Sequence, residues 1–128
     1  MKIAAVAVSA TELSRAVAFY ELLGFRFPPP GPDDQHVEAQ AGVRLMIDDA
    51  AMMTNLLGEA PRPGNTSVFA ILMGSPGEVD EAVDRVAGGG HTVVHPAWDA
   101  PWGQRYATVA DPDGYRVDLF CPLSGTEW

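Results

Sequence analysis

The chain has 128 residues, 47% of them hydrophobic and 20% charged, a balance that fits one globular domain with a real core and excludes a disordered chain. Eight Lys and Arg against seventeen Asp and Glu give a formal charge of −9 with no basic cluster, which excludes a nucleic-acid-binding role. No apolar run reaches membrane-spanning length, and the single Cys121 allows no internal disulfide, so the expectation is a cytoplasmic protein with no membrane partner.

Ile3 to Val8 reads as a short strand buried on both faces; with Met1-Lys2 before it, the run is too short for a signal peptide. Ser9-Ala-Thr-Glu12 then has the form of a capping box, ahead of an apolar stripe at Leu13, Ala16, Val17, Tyr20 and Leu23, with Gly24 as the helix stop. Phe25 to Phe27 starts a further strand, halted by the proline run Pro28 to Pro32, a stiff surface loop. His36 to Gln40 and Val43 to Ile47 form a hairpin around Ala41-Gly42. Asp48 to Leu57 reads as a short helix with Met52, Met53, Leu56 and Leu57 on the core, and Glu59 to Asn65 as a linker.

The second half repeats the first. Thr66 to Met73 is an apolar strand, and Ser75-Pro-Gly-Glu78 is a capping box with Pro76 at the first helical position. Val79, Ala82, Val83 and Val86 make the helix stripe, which Gly88 to Gly90 ends. Ser9, Glu12, Leu13, Ala16, Val17 and Gly24 align without a gap on Ser75, Glu78, Val79, Ala82, Val83 and Gly90. Tyr106 to Val109, the turn Asp111-Pro112-Asp113-Gly114 and Tyr115 to Phe120 make a hairpin, with Gly114-Tyr-Arg-Val117 matching Gly42-Val-Arg-Leu45. The expected fold is α+β: two tandem βαβββ modules, 1–57 and 66–123, joined by a linker at 58–65, with a tail at 124–128. Their curled mixed sheets would surround a cleft suited to a small ligand.

Three stretches carry a resemblance to a known family: Ala16-Val-Ala-Phe-Tyr-Glu-Leu-Leu-Gly-Phe25, Gly90-His-Thr-Val-Val-His-Pro96, and Trp102-Gly-Gln-Arg-Tyr106 with Asp111-Pro-Asp-Gly-Tyr-Arg-Val-Asp-Leu119. The chain resembles the vicinal oxygen chelate superfamily, the glyoxalase, bleomycin-resistance protein and extradiol dioxygenase group. The resemblance implies a homodimer, and in the metal-using members a His or Gln in the first strand and a Glu in the last strand of each half. Here Ile3 to Ala10 and Thr66 to Gly74 hold no such donor, Met46 aligns with Asp118, and only Asp118 fills a ligand slot. No cofactor is therefore expected. His91 and His95, about 13 Å apart along a strand, cannot share an ion, and a replacement metal site would need Asp118 with His36 or Glu38.

Asp118 is a carboxylate in mid-strand, a poor strand former in a cleft position. Either it pairs with Arg116, two residues away on the same face, or it holds a cationic or hydrogen-bonding ligand group, or it acts as a base. Trp98, Trp102 and Tyr106 flank it, either stacking on a planar ligand or packing in the core or a dimer contact. Gln104 and Arg105 alternate, so one of them faces the cleft. Nothing beside Cys121 activates it as a nucleophile. The candidate ligand-binding residues are Asp118, Trp102, Tyr106, Trp98, Met46 and Arg116. The leading expectation is metal-free sequestration of a small aromatic or cationic compound, of the antibiotic-resistance type. The alternative, which would make the chain an enzyme, is a lyase, isomerase or dioxygenase using Ni²⁺, Zn²⁺ or Fe²⁺.

Overall fold

A computed structural model describes residues 1–124; the expected tail lies outside them from residue 125 onward. The elements run β1 (Ala5–Ala10), α1 (Leu13–Leu22), β2 (His36–Ala39), β3 (Arg44–Asp49), α2 (Ala50–Leu57), β4 (Ser67–Leu72), α3 (Pro76–Gly88), β5 (Thr92–Ala100), β6 (Gln104–Ala110) and β7 (Arg116–Pro122). Contacts divide the chain into two compact units, Met1–Pro63 and Gly64 onward. The fold class is mixed α+β, with an open three-stranded sheet ordered β1-β3-β2 and an open four-stranded sheet ordered β4-β7-β6-β5. In each sheet the unit's first strand runs parallel to its last, β1 beside β3 and β4 beside β7. No helix among the described residues is long and apolar enough to cross a membrane.

In the first unit α1 buries Ala16, Val17, Phe19 and Tyr20, and inward residues Val8, Ala10, Val37, Ala39, Leu45 and Ile47 complete its core. Phe19 meets Tyr20 edge-on at 4.9 Å, and Tyr20 meets Phe25 likewise at 5.8 Å, the preferred arrangement for rings packed by their quadrupoles. The expected strand at Phe25 to Phe27 is absent. Phe25 and Phe27 are buried, but the run has no strand partner, and the prolines that follow supply no amide donors. The first unit thus has one strand fewer than the expected βαβββ. Nor is β1 buried on both faces: Val8 and Ala10 point into the core, whereas Ala7 points to the opposite face and is exposed, and Ile3 lies outside the strand. Helix α2, capped by Asp49 accepting from the Met52 amide at 3.0 Å, buries none of its residues. Leu56 and Leu57, expected on the core, are exposed.

In the second unit α3 lays Val79, Ala82, Val83 and Val86 on Ala107, Val109, Val117 and Leu119, as the stripe predicts. Fully burying such side chains stabilises the unit by about 1.5–3 kcal/mol each for the larger ones. Ser75 caps α3 by accepting from the Glu78 amide at 3.2 Å, while Glu78 reaches back to the Gly74 amide. The matching box on Ser9 does not form. Ser9 is still inside β1, paired with Asp48, and the N-cap of α1 is Glu12, which makes no side-chain cap bond. Helix α1 therefore starts about one turn later than the gapless alignment places it, at Glu12 instead of Ser9, while the rest of the helix keeps that alignment: Ala16, Val17 and Tyr20 are buried like Ala82, Val83 and Val86. Both helices close in the same way. Phe25 and His91 donate to Tyr20 and Val86 five residues back, around Gly24 and Gly90 at positive φ.

Ser75→Ala should cost about 1 kcal/mol of stability, while Glu12→Ala should stay within about 0.5 kcal/mol, because only the first removes a cap bond. Urea unfolding of the two variants measures the difference.

Candidate functional site

The helix covers one face of the four-stranded sheet, and the other carries the polar and aromatic side chains. Asp118 stands near the middle of β7, between β4 and β6, and is 8% exposed. Burying a carboxylate costs several kcal/mol unless donors replace its water. Three hydroxyls do so. Ser67 Oγ and Thr108 Oγ1 donate to Oδ1 at 2.6 and 2.8 Å, and the Tyr106 hydroxyl donates to Oδ2 at 2.5 Å. Thr108 is directly opposite Asp118 across the hairpin. Ser67 reaches it because a bulge between Ser67 and Phe69 breaks the alternation of β4 and turns Ser67 to that face. Burial first, and then the bond to Asp118, push the Tyr106 hydroxyl up to about 12, so it stays protonated as a donor. The expected Arg116–Asp118 pair is replaced by another contact: Arg116 Nη1 donates to the Asn65 carbonyl at 3.0 Å.

From Tyr106 a row of rings runs along the same face. Phe120 stacks on Tyr106 at 6.1 Å, Trp102 meets Tyr106 edge-on at 5.3 Å, Trp98 meets Trp102 at 5.8 Å, and His95 meets Trp98 at 5.2 Å. Trp98 and Trp102, 38% and 57% exposed, form the rim, and Asp118 lies at the buried end. The indole N–H of Trp102 donates to Gln104 Oε1 at 3.0 Å. Gln104 is the member of its pair on this face; Arg105 points to the helix side, held by Asp80 at 2.9 Å and Asp99 at 3.1 Å. Two register shifts in β5 bring His95 opposite Thr108 and Trp98 opposite Tyr106, though three residues separate them. Sequence reasoning did not include Ser67, Thr108 and Phe120. Thr108 was within reach, since the turn at Asp111 to Gly114 sets the hairpin register, whereas the bulge that turns Ser67 leaves no sequence signal.

In the first unit the face away from α1 carries a row of alternating charge. His36 Nδ1 meets Asp48 at 2.6 Å, His36 Nε2 meets Glu38 at 2.8 Å, and Arg44 meets Glu38 at 3.2 Å. Ionised carboxylates only accept, so when His36 is protonated both of its ring nitrogens donate to them. The bonds to Asp48 first, and then to Glu38, raise its pKa above 6.5, and His36 in turn lowers Glu38. Met46 lies half-buried on this face between Ala7 and Glu38. Depressions of about 560 and 470 Å³ border the row, the first including Arg26, Pro28 and His36 and the second including Lys2, Arg44 and Met46; neither includes Asp118 or the aromatic row.

The metal that the resemblance implies does not fit these residues. Beside Met46 stands Ala7, and beside Asp118 stands Ala70, where the first strands would have to supply donors. Among the described residues no group of three or more His, Cys, Asp or Glu is arranged to hold a metal ion.

Because His36 is more basic folded than unfolded, its contribution to stability is fully present below pH 6.5 and is lost as pH rises through its raised folded pKa. Urea midpoints should fall over that window in the wild type and stay flat in His36→Gln. An equal slope in both would show that the two carboxylates do not hold the proton.

The family profile for the glyoxalase/bleomycin resistance protein/dioxygenase superfamily matches residues 2–119. An uncharacterized Mycobacterium bovis protein is 32% identical over 99 residues, 73% of this chain and 64% of its own length; a Mycobacterium tuberculosis relative of the same identity is covered over 57%. The chain thus spans less than two thirds of the curated relatives it matches. Among solved structures, a glyoxalase-related enzyme from Fulvimarina pelagi superposes with a TM-score of 0.80 at 24% identity, covering 94% of this chain and 87% of that one. A family enzyme from Burkholderia phytofirmans gives 0.80 at 15% identity over 96% and 100%. A lactoylglutathione lyase from Agrobacterium tumefaciens gives 0.68 at 24% identity over 94% and 92%. With the profile match extending across both units, this chain belongs to the glyoxalase/bleomycin resistance protein/dioxygenase superfamily.

Proposed function

We propose that this chain binds a small aromatic or cationic compound non-covalently and without a resident metal, as a sequestering protein of the antibiotic-resistance type. The observation that carries the reading is the row of rings from Trp98 to Phe120 that ends at the Asp118 carboxylate. Exposed indole faces offer stacking surface, and the carboxylate supplies the single negative charge at the end of the row. Asp118 accepts from three hydroxyls, which hold the carboxylate in place at the end of the row. The alanines at the two first-strand slots support the metal-free part of the reading. Arg116 and Met46, proposed from the sequence as ligand contacts, fit less directly: one is engaged with Asn65, and the other lies in the charged row of the first unit. A homodimer in the cytoplasm completes the proposal, supported by the family and by the buried, unpaired Cys121.

Calorimetric titration with glycopeptide and polycyclic antibiotics, followed in parallel by tryptophan fluorescence, tests the reading. At least one planar cation should bind and quench Trp102, and Trp102→Ala should weaken it up to about tenfold, the equivalent of an aromatic pair at about 0.5–1.5 kcal/mol. Binding of none would remove the reading. So would stoichiometric nickel, zinc or iron in protein purified without a histidine tag, if Asp118→Ala lost it.

A further inference from the structure

The hydrogen bonds of Asp118 define the ligand more narrowly. An ionised carboxylate offers about four acceptor directions, two on each oxygen. Oδ1 uses both, for Ser67 and Thr108, and Oδ2 uses one, for Tyr106. One direction on Oδ2, the oxygen that Tyr106 of the ring row also reaches, is left. All three donors are neutral, so the charge itself is not compensated by them. The cations nearby are committed elsewhere: Arg116, on the same face, to the Asn65 carbonyl, and Arg105, on the helix side, to Asp80 and Asp99. His95, at the far end of the row, turns Nδ1 to the Pro96 carbonyl at 2.7 Å.

Resting on the binding reading above, we infer that the site selects a protonated amine: a ligand that joins one ammonium N–H, directed at Asp118 Oδ2, to a planar ring lying against Trp102 and Tyr106. Each alternative fails on one feature. A guanidinium or amidinium presents two parallel donors, of which the site can take one. A quaternary ammonium keeps the charge and loses the N–H. A neutral alcohol keeps a donor and loses the Coulombic attraction between opposite charges.

The experiment uses the intact wild-type chain and four probes built on one ring: naphthylmethylamine, its trimethylammonium and guanidinium analogues, and naphthylmethanol. Tryptophan fluorescence and calorimetry read the affinities. The amine should bind about ten- to a hundredfold more tightly than the alcohol and clearly more tightly than the other two cations. Its advantage should vanish above the pKa of the amine. In Asp118→Asn the amine and the alcohol should bind alike. Should Asp118→Asn fail to fold, the wild-type series and its pH dependence decide the question alone. Equal affinity for amine and alcohol would overturn the inference while leaving aromatic binding intact. Equal affinity for amine and trimethylammonium would overturn the single N–H acceptor. No binding by any of the four would remove both the inference and the reading beneath it.

Discussion

A carboxylate placed in mid-strand and shut off from water must find donors or be expelled, and this requirement organises the face of the second unit around Asp118. β6 supplies two of the donors because the hairpin register sets Thr108 opposite Asp118 and Tyr106 opposite Phe120. β4 supplies the third only because its ladder carries a bulge at Ser67. Each donor is a neutral hydroxyl, so the carboxylate is satisfied without an ion pair. A salt bridge to Arg116 would have satisfied burial equally well and left nothing for a ligand. The phenol of Tyr106 then ties the charge to the ring row, since one side chain is both donor to Asp118 and neighbour to Trp102 and Phe120.

The two units build the same frame and use it differently. Both sheets give one face to a helix, and in both the last strand lies parallel to the first. On the face away from the helix the first unit holds His36, Glu38, Arg44 and Asp48, a row that neutralises itself. The second unit holds one uncompensated charge among aromatics. The first row stiffens the pairing of β2 with β3, and its exposed ion pairs contribute modestly to stability. The second is arranged to receive something.

Most of the frame was legible in the sequence. The stripe at Val79, Ala82, Val83 and Val86, the cap at Ser75 and the turn before Gly114 state their structure through local chemistry, and the structure follows them. What was not legible depended on breaks in periodicity. The capping-box pattern at Ser9 hid the fact that β1 runs on to Ala10, and α1 was read with Leu13 inside and Phe19 outside its buried set. A strand pattern was read into Phe25 to Phe27, where burial comes from ring packing and not from a ladder. Asp118, Trp98, Trp102 and Tyr106 were singled out by residue type and position, and the structure sets them in one row. Ser67 and the meeting of His95 with Trp98 depend on bulges, which alternation cannot foresee.

The bond between Tyr106 and Asp118 is the joint on which the account rests, and the alkaline absorbance of the phenol tests it most directly. The signal of Tyr106, isolated by subtracting a Tyr106→Phe titration, should have its midpoint near about 12. The neutral phenol is the form the fold favours, so its contribution to stability is intact below pH 10.0 and is lost as pH rises through about 12. Asp118→Asn should lower the midpoint while burial keeps it above 10.0. A wild-type midpoint at 10.0, or one that Asp118→Asn leaves unmoved, would contradict the account.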